Sequence, residues 1–141
     1  MATLFVDTGA FYAAADRSDE HHDRAGATFT ARGPAGELLT TDHVVVETWF
    51  LLKARLGRSA AMRFWDAMGT GLVRVIGVSS SDLARARRIA RDWPEHAFSI
   101  VDMTSFAAME RLRIEEAFAF DRHFRVYRYG SSRRRAFRVI P

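Results

Sequence analysis

Apolar residues recur along this chain in two rhythms. Thr3-Leu4-Phe5-Val6, Glu37-Leu38-Leu39-Thr40-Thr41, residues 72–78 and Ala117-Phe118-Ala119-Phe120 are short and mostly apolar, without sustained polar alternation. All four predict strands, and the first and last predict strands buried on both faces, as in a parallel sheet. Between them, apolar positions spaced by three and four predict helices over residues 10–15, 25–32, 43–56, 59–68 and 80–93, and another from near Asp102. Gly33-Pro34-Ala35-Gly36, Gly57, Gly69 with Gly71, and Pro94 punctuate these segments. Asp42 is the expected cap of helix 43–56. On helix 80–93, Leu83, Ala86, Ala90 and Trp93 form the expected core stripe, with Arg85, Arg88 and Asp92 on a solvated face. Residues 16–23 read as a polar loop, 122–135 as irregular and very basic, and 136–140 as a last edge strand. Strands alternating with helices predict one α/β domain over residues 1–141, on a mostly parallel sheet with right-handed crossovers.

Four carboxylates break the pattern. Asp7 and Asp121 each end a predicted buried strand, the position at which open α/β sheets build their sites. Glu47 lies with Val44 and Leu51 at i, i+3 and i+7, Phe50 close by, too far into its helix to be a cap. A buried ion pair with an arginine is the structural alternative. Asp102 shares a helix face with Phe106 and Met109, Ser105 beside them. It reads equally as a helix cap and as a site residue, because a carboxylate suits the positive end of a helix dipole.

Composition narrows the chemistry. A length of 141 residues suits a single domain. The absence of cysteine excludes disulfides, thiolate zinc sites and cysteine nucleophiles. No apolar run approaches a membrane span, and Met-Ala-Thr-Leu-Phe-Val-Asp lacks the charged start of a signal peptide, so a cytoplasmic location is expected. The net charge of +4, carried by 20 arginines and one lysine, fits an anionic partner such as nucleic acid.

In a parallel α/β sheet, strand tips and the first turns of the following helices lie on one side, which brings Asp7, Glu47, Asp102 and Asp121 together. Crowded carboxylates repel and take up protons unless a cation compensates. An all-oxygen donor set selects a hard divalent ion, Mg²⁺ or Mn²⁺, and such sites hydrolyse phosphodiesters.

These residues carry a resemblance. Phe5-Val6-Asp7-Thr8-Gly9-Ala10, His22 with Ala25, Thr40-Thr41-Asp42-His43 leading to Val46-Glu47-Thr48, then Ser99, Asp102, Ser105, Phe106 and Met109, and finally Phe120-Asp121-Arg122-His123-Phe124 stand in the order and spacing of the PIN domain. More narrowly, the chain resembles VapC-type toxin ribonucleases of bacterial toxin–antitoxin pairs. The resemblance implies a parallel sheet of about five strands with helices on both faces. It implies a Mg²⁺- or Mn²⁺-dependent endoribonuclease, usually a homodimer, silenced by a cognate VapB-type antitoxin. Asp7, Glu47 and Asp102 match the family's acidic triad and Asp121 its fourth acid. Asp7 and Asp102 are the expected metal ligands, with Thr8 and Ser105 as hydroxyl donors near the acids. A family member with an RNA-processing role, or an inactive RNA- or protein-binding module, are the alternatives. A phosphatase would want an acid where Gly9 stands, and a receiver domain a late lysine, whereas the only lysine is Lys53.

For the phosphate backbone, Arg122, Arg125, Arg128 and the run Arg133-Arg134-Arg135 are the contact candidates, against a solvated tail or an antitoxin contact. Among the histidines, His22 reads as a packing position and His43 as a first-turn residue. His123, beside Asp121, leaves a contact to RNA or to the acids' surroundings open.

Overall fold

The computed structural model describes residues 2–141. In chain order, the elements begin β1 (Leu4–Val6), α1 (Thr8–Ala15), α2 (His22–Arg32), β2 (Leu38–Thr41), α3 (Asp42–Leu56) and α4 (Arg58–Met68). They continue β3 (Arg74–Ile76), α5 (Ser80–Asp92), α6 (Ile100–Leu112), β4 (Glu116–Phe118), α7 (His123–Val126) and β5 (Arg138–Ile140). The sheet has five strands in the order β3-β2-β1-β4-β5, and every pairing is parallel.

That order places the site. From β1 the chain winds outward through β2 to β3, then returns to lay β4 against the other side of β1 before reaching β5. The winding therefore reverses between β1 and β4, and a crevice opens beyond the C-terminal ends of strands at such a reversal. Asp7 leaves β1 there, its N–H donating to the Phe118 carbonyl of β4 at 3.1 Å.

The central strands are buried throughout, so Leu4, Phe5 and Val6 sit in the core with Leu38, Leu39, Ala117 and Phe118. An aromatic cluster of Phe106, Phe124, Tyr127 and Phe137 fills the space under α6 and α7, with Phe106 and Tyr127 stacked at 4.4 Å. Tyr127 and Phe124 are fully buried, so they tie the one-turn α7 to the core.

Several boundaries differ from the expectation for physical reasons. Thr41, not Asp42, caps α3, its hydroxyl accepting the Val44 N–H, while Asp42 accepts the Val78 N–H at 3.0 Å. The inward face of α5 carries Asp82, Ala86 and Ile89, whereas Leu83 is 43% exposed. Arg85 is not merely solvated, because it donates to Glu110 and to the Tyr127 hydroxyl. The basic stretch after Asp121 is partly ordered: α7 opens it, and Tyr129 pairs with Arg135 in a bridge. No helix among the described residues is long and apolar enough to cross a membrane.

Candidate active site

Asp7 holds the N-cap position of α1 with extended backbone, yet its carboxyl makes no capping hydrogen bond. It is only 4% exposed. A buried carboxylate not spent on the helix end must either hold a proton or gain a cation. Burial pushes Asp7 up to about 8, the nearby Asp102, Asp121 and Glu47 carboxylates add to the rise, and the Thr8 N–H offsets only part.

Glu47 is more than a turn into α3 and half-buried. The inward face of that helix belongs to Val44, Thr48 and Leu52, with Phe50 exposed, so Glu47 borders the core rather than lying within it. Thr8 Oγ1 donates to Glu47 Oε1 at 2.6 Å, linking the first residue of α1 to α3.

Asp102 has the capping role that one of its sequence readings expected, and it also stands beside His123. Ser99 is the N-cap of α6, and Asp102 closes a capping box with it: the Asp102 N–H donates to Ser99 Oγ, and the Ser99 N–H donates to Asp102 Oδ2, both at 3.0 Å. Oδ1 takes no hydrogen bond among the described residues. Burial raises the Asp102 carboxyl above its ordinary range and Asp121 adds to this, while the Ser99 N–H and His123 offset it in part.

Asp121 follows β4, half-buried, with Oδ1 accepting the His123 N–H at 2.6 Å. The His123 ring reaches back across the site, Nδ1 lying 2.7 Å from Asp102 Oδ2 and 3.2 Å from Asp121 Oδ1. Candidate ligand atoms of Asp102, Asp121 and His123 all lie within 4.8 Å of one another. Sequence spacing gave no sign of the His123–Asp102 contact, since the two are 21 residues apart and meet only through the fold.

Two other buried carboxylates in the same molecule show what a purely structural acid looks like here. Glu116, at the opposite end of the sheet, is held by Arg138 and Arg32. Asp82 is held by Arg111. Burial pushes both upward, but the arginines, helped at Asp82 by the Ser79 hydrogen bonds, outweigh it and leave both carboxyls below the ordinary range. Among the described residues, no arginine or lysine is paired with Asp7, Glu47, Asp102 or Asp121. The donor set therefore fits a divalent cation, which would supply the compensation that arginine supplies elsewhere.

The remaining candidates divide. Thr8 touches an acid, whereas Ser105 is fully buried and its Oγ donates to the Val101 carbonyl of its own helix at 2.7 Å. Arg122 and Arg125 are exposed beside α7. Arg128 folds back onto the Val126 and Tyr127 carbonyls, and Arg133 pairs with Asp92 and lies over the Trp93 ring.

An all-parallel α/β domain whose winding reverses beside a group of carboxylates without arginine or lysine partners has its candidate site where such sheets bind ligands. The chain belongs to the PIN-domain family: the family model described as PIN domain matches residues 4–128. It is 34% identical over 121 residues to the 23S rRNA-specific endonuclease VapC20 of Mycobacterium tuberculosis, covering 86% of this chain and 91% of that one. Ribonuclease VapC26 of the same organism is 25% identical over 140 residues, covering 98% of this chain and 100% of that protein. The crystal structure of M. tuberculosis VapC20, described as a Sarcin-Ricin loop cleaving toxin, superposes with a TM-score of 0.78 at 32% identity, over 85% of this chain and 91% of that one.

Proposed function

We propose that this protein is a metal-dependent endoribonuclease of the VapC type, the toxin of a type II toxin–antitoxin pair. The observation that carries the reading is the group of four acids, Asp7, Glu47, Asp102 and Asp121, left without arginine partners in a molecule that pairs its structural buried acids with arginine. The names of the relatives make RNA the substrate class and 23S rRNA the first RNA to assay.

In this reading Asp7 and Asp102 hold the ion, with Mg²⁺ or Mn²⁺ as the matching class for a carboxylate-rich site. When bound, the ion supplies Lewis acidity for phosphodiester hydrolysis. Glu47, fixed by Thr8, orients the attacking water and accepts its proton, while Asp121, fixed by the His123 N–H, helps hold the ion directly or through a water. Arg122, which follows Asp121, and Arg125 on α7 are both exposed and hold the RNA backbone in register. A VapB-type antitoxin is the proposed partner and a homodimer the proposed assembly. Val46, Phe50 and Trp65, 55%, 62% and 56% exposed on α3 and α4, offer apolar surface for such contacts.

The test is cleavage of total and 23S rRNA by purified protein with added Mg²⁺ or Mn²⁺, with new RNA 5′ ends mapped after brief induction in cells. Cleavage that stops in EDTA and in Asp7→Asn supports the assignment. Wild-type cleavage persisting in EDTA overturns the metal mechanism.

A further inference from the structure

His123 is brought to the acids by architecture rather than by a free rotamer. It is the first residue of α7, and the next residue, Phe124, is fully buried between Phe5 and Phe106. Tyr127, one turn on, stacks against Phe106 at 4.4 Å. The imidazole itself stands against the Phe98 ring, centroids 5.3 Å apart and planes at 79°. Its side chain is 22% exposed, so the ring faces the carboxylates more than solvent. Two contacts result, Nδ1 to Asp102 Oδ2 at 2.7 Å and Nδ1 to Asp121 Oδ1 at 3.2 Å.

Both distances match the spacing of neighbouring donors on one divalent ion, whose coordination-shell edges run to about 3 Å for bonds near 2.1 Å. An arginine or lysine at this place could only neutralise the acids. An imidazole can do something else: with its proton on Nε2, Nδ1 gives up its hydrogen bond to Asp102 and carries a lone pair, and a turn of the Asp102 carboxylate off the Nδ1 axis leaves that lone pair to an ion held between the two. We propose that His123 is a metal-selecting residue, its Nδ1 joining Asp102 and Asp121 as a nitrogen donor, so that the site takes first-row transition ions in preference to Mg²⁺.

The preference follows from ligand chemistry. Mg²⁺ demands oxygen ligands and keeps its waters, whereas imidazole binds first-row transition ions increasingly well from Mn²⁺ through Co²⁺. Replacing one oxygen donor by nitrogen therefore separates ions that an all-carboxylate site would treat more alike. The proposal rests on the reading of this site as a metal-dependent nuclease centre, and it adds which ion class the centre selects and which residue makes the choice.

The experiment uses the full chain, without an affinity tag, as wild type and His123→Gln. Binding of Mg²⁺, Mn²⁺ and Co²⁺ is titrated by calorimetry, and the Mn²⁺ complexes are examined by pulsed electron paramagnetic resonance for coupling to ¹⁴N. The expected result is Mn²⁺ binding about tenfold tighter than Mg²⁺ in wild type, Co²⁺ tighter still, and a ¹⁴N signal. In His123→Gln the ¹⁴N signal disappears and Mn²⁺ affinity falls about tenfold, while Mg²⁺ affinity changes less than about twofold. Wild-type protein that binds Mn²⁺ without ¹⁴N coupling overturns the proposal and leaves the nuclease reading intact, as does a parallel loss of Mg²⁺ and Mn²⁺ affinity in the variant. Failure of the wild type to bind any of the three ions overturns both. If His123→Gln does not fold, the wild-type ¹⁴N spectrum and ion ranking decide alone.

Discussion

Arg111 grips Asp82 through two hydrogen bonds of 2.9 Å each, Nε to Oδ1 and Nη2 to Oδ2. Asp82 also closes a capping box with Ser79 at the start of α5, as Asp102 does with Ser99 at the start of α6. The two Ser-x-x-Asp boxes share backbone chemistry and differ in what meets the outer carboxylate. For Asp82 it is a guanidinium fork, and for Asp102 an imidazole with two further acids, Asp121 and Asp7, nearby. One box is therefore closed off by an arginine, while the other meets only an imidazole and leaves Asp102 Oδ1 without a hydrogen bond among the described residues.

That contrast predicts opposite effects on stability and chemistry. Arg111→Leu strands a buried carboxylate and is expected to destabilise the fold by about 1–3 kcal/mol, leaving RNA cleavage per folded molecule unchanged. Asp82 is held below the ordinary carboxylate range, so its contribution is complete above the unfolded value and is lost as pH falls through the depressed folded one. Urea melts from about pH 7 down to about pH 3 should show the two proteins converging at the acid end. A constant gap across that range would show that the lost packing of Arg111, not its charge, sets the cost.

Much of this arrangement is legible from the chain. Buried strand runs, glycine and proline stops and strand-terminal acids give the alternating α/β order and put Asp7 and Asp121 at one end. What stays hidden is rotation and partnership. The inward face of α5 turns on Asp82, a residue that hydropathy places outside, because only the fold brings Arg111 to it. The capping hydrogen bond goes to Thr41 and not to its neighbour Asp42, a choice between two good cap residues that local preference does not decide. Glu47 reads as lying on an apolar stripe, yet Thr48 takes the buried position beside it. For His123 the sequence leaves open whether it meets RNA or the surroundings of the acids, and only the anchoring of α7 by Phe124 and Tyr127 brings its ring to Asp102.

Asp7→Asn separates the charge of the site from its fold. The folded protein holds the Asp7 proton up to about pH 8, whereas the unfolded chain releases it near the ordinary value of 3.8. Between those values the unfolded state binds fewer protons, so metal-free wild type loses stability as pH rises, and the loss levels off above the folded value. The asparagine variant escapes this cost. In EDTA it should match wild type near pH 4 and exceed it on the order of 2–5 kcal/mol at pH 8, while cleaving no RNA. Thermal melts across that range check the sign, and equal stabilities at pH 8 would show that Asp7 titrates as an ordinary carboxyl.

Thr8→Val removes one hydroxyl and keeps the shape. Its Oγ1 donates to Glu47 at 2.6 Å, so the variant leaves that carboxylate free to turn while β1, α1 and α3 pack as before. RNA cleavage is expected to fall about tenfold with little change in melting temperature, the scale on which supporting partners of site carboxylates act. Thr8→Ser, which keeps the donor, should recover most of the activity. If serine performs no better than valine, the methyl group and not the hydroxyl is what α1 needs there.

The basic residues around α7 should divide by their existing contacts. Arg122 and Arg125 are exposed, and replacing either by alanine is expected to weaken RNA binding across sequences and to lower the slope of log affinity against log salt by about one. Arg133 is engaged with Asp92 and Trp93, so its loss should alter the salt slope less. Arg128 closes the end of α7 by donating to the Val126 and Tyr127 carbonyls, and Arg128→Ala should act through stability and the placement of His123. Binding of a non-cleavable RNA to the Asp7→Asn background, measured from about 50 to 200 mM salt, separates these outcomes. Equal slopes for all four alanine variants would mean that the phosphate contacts lie elsewhere, on surfaces away from α7.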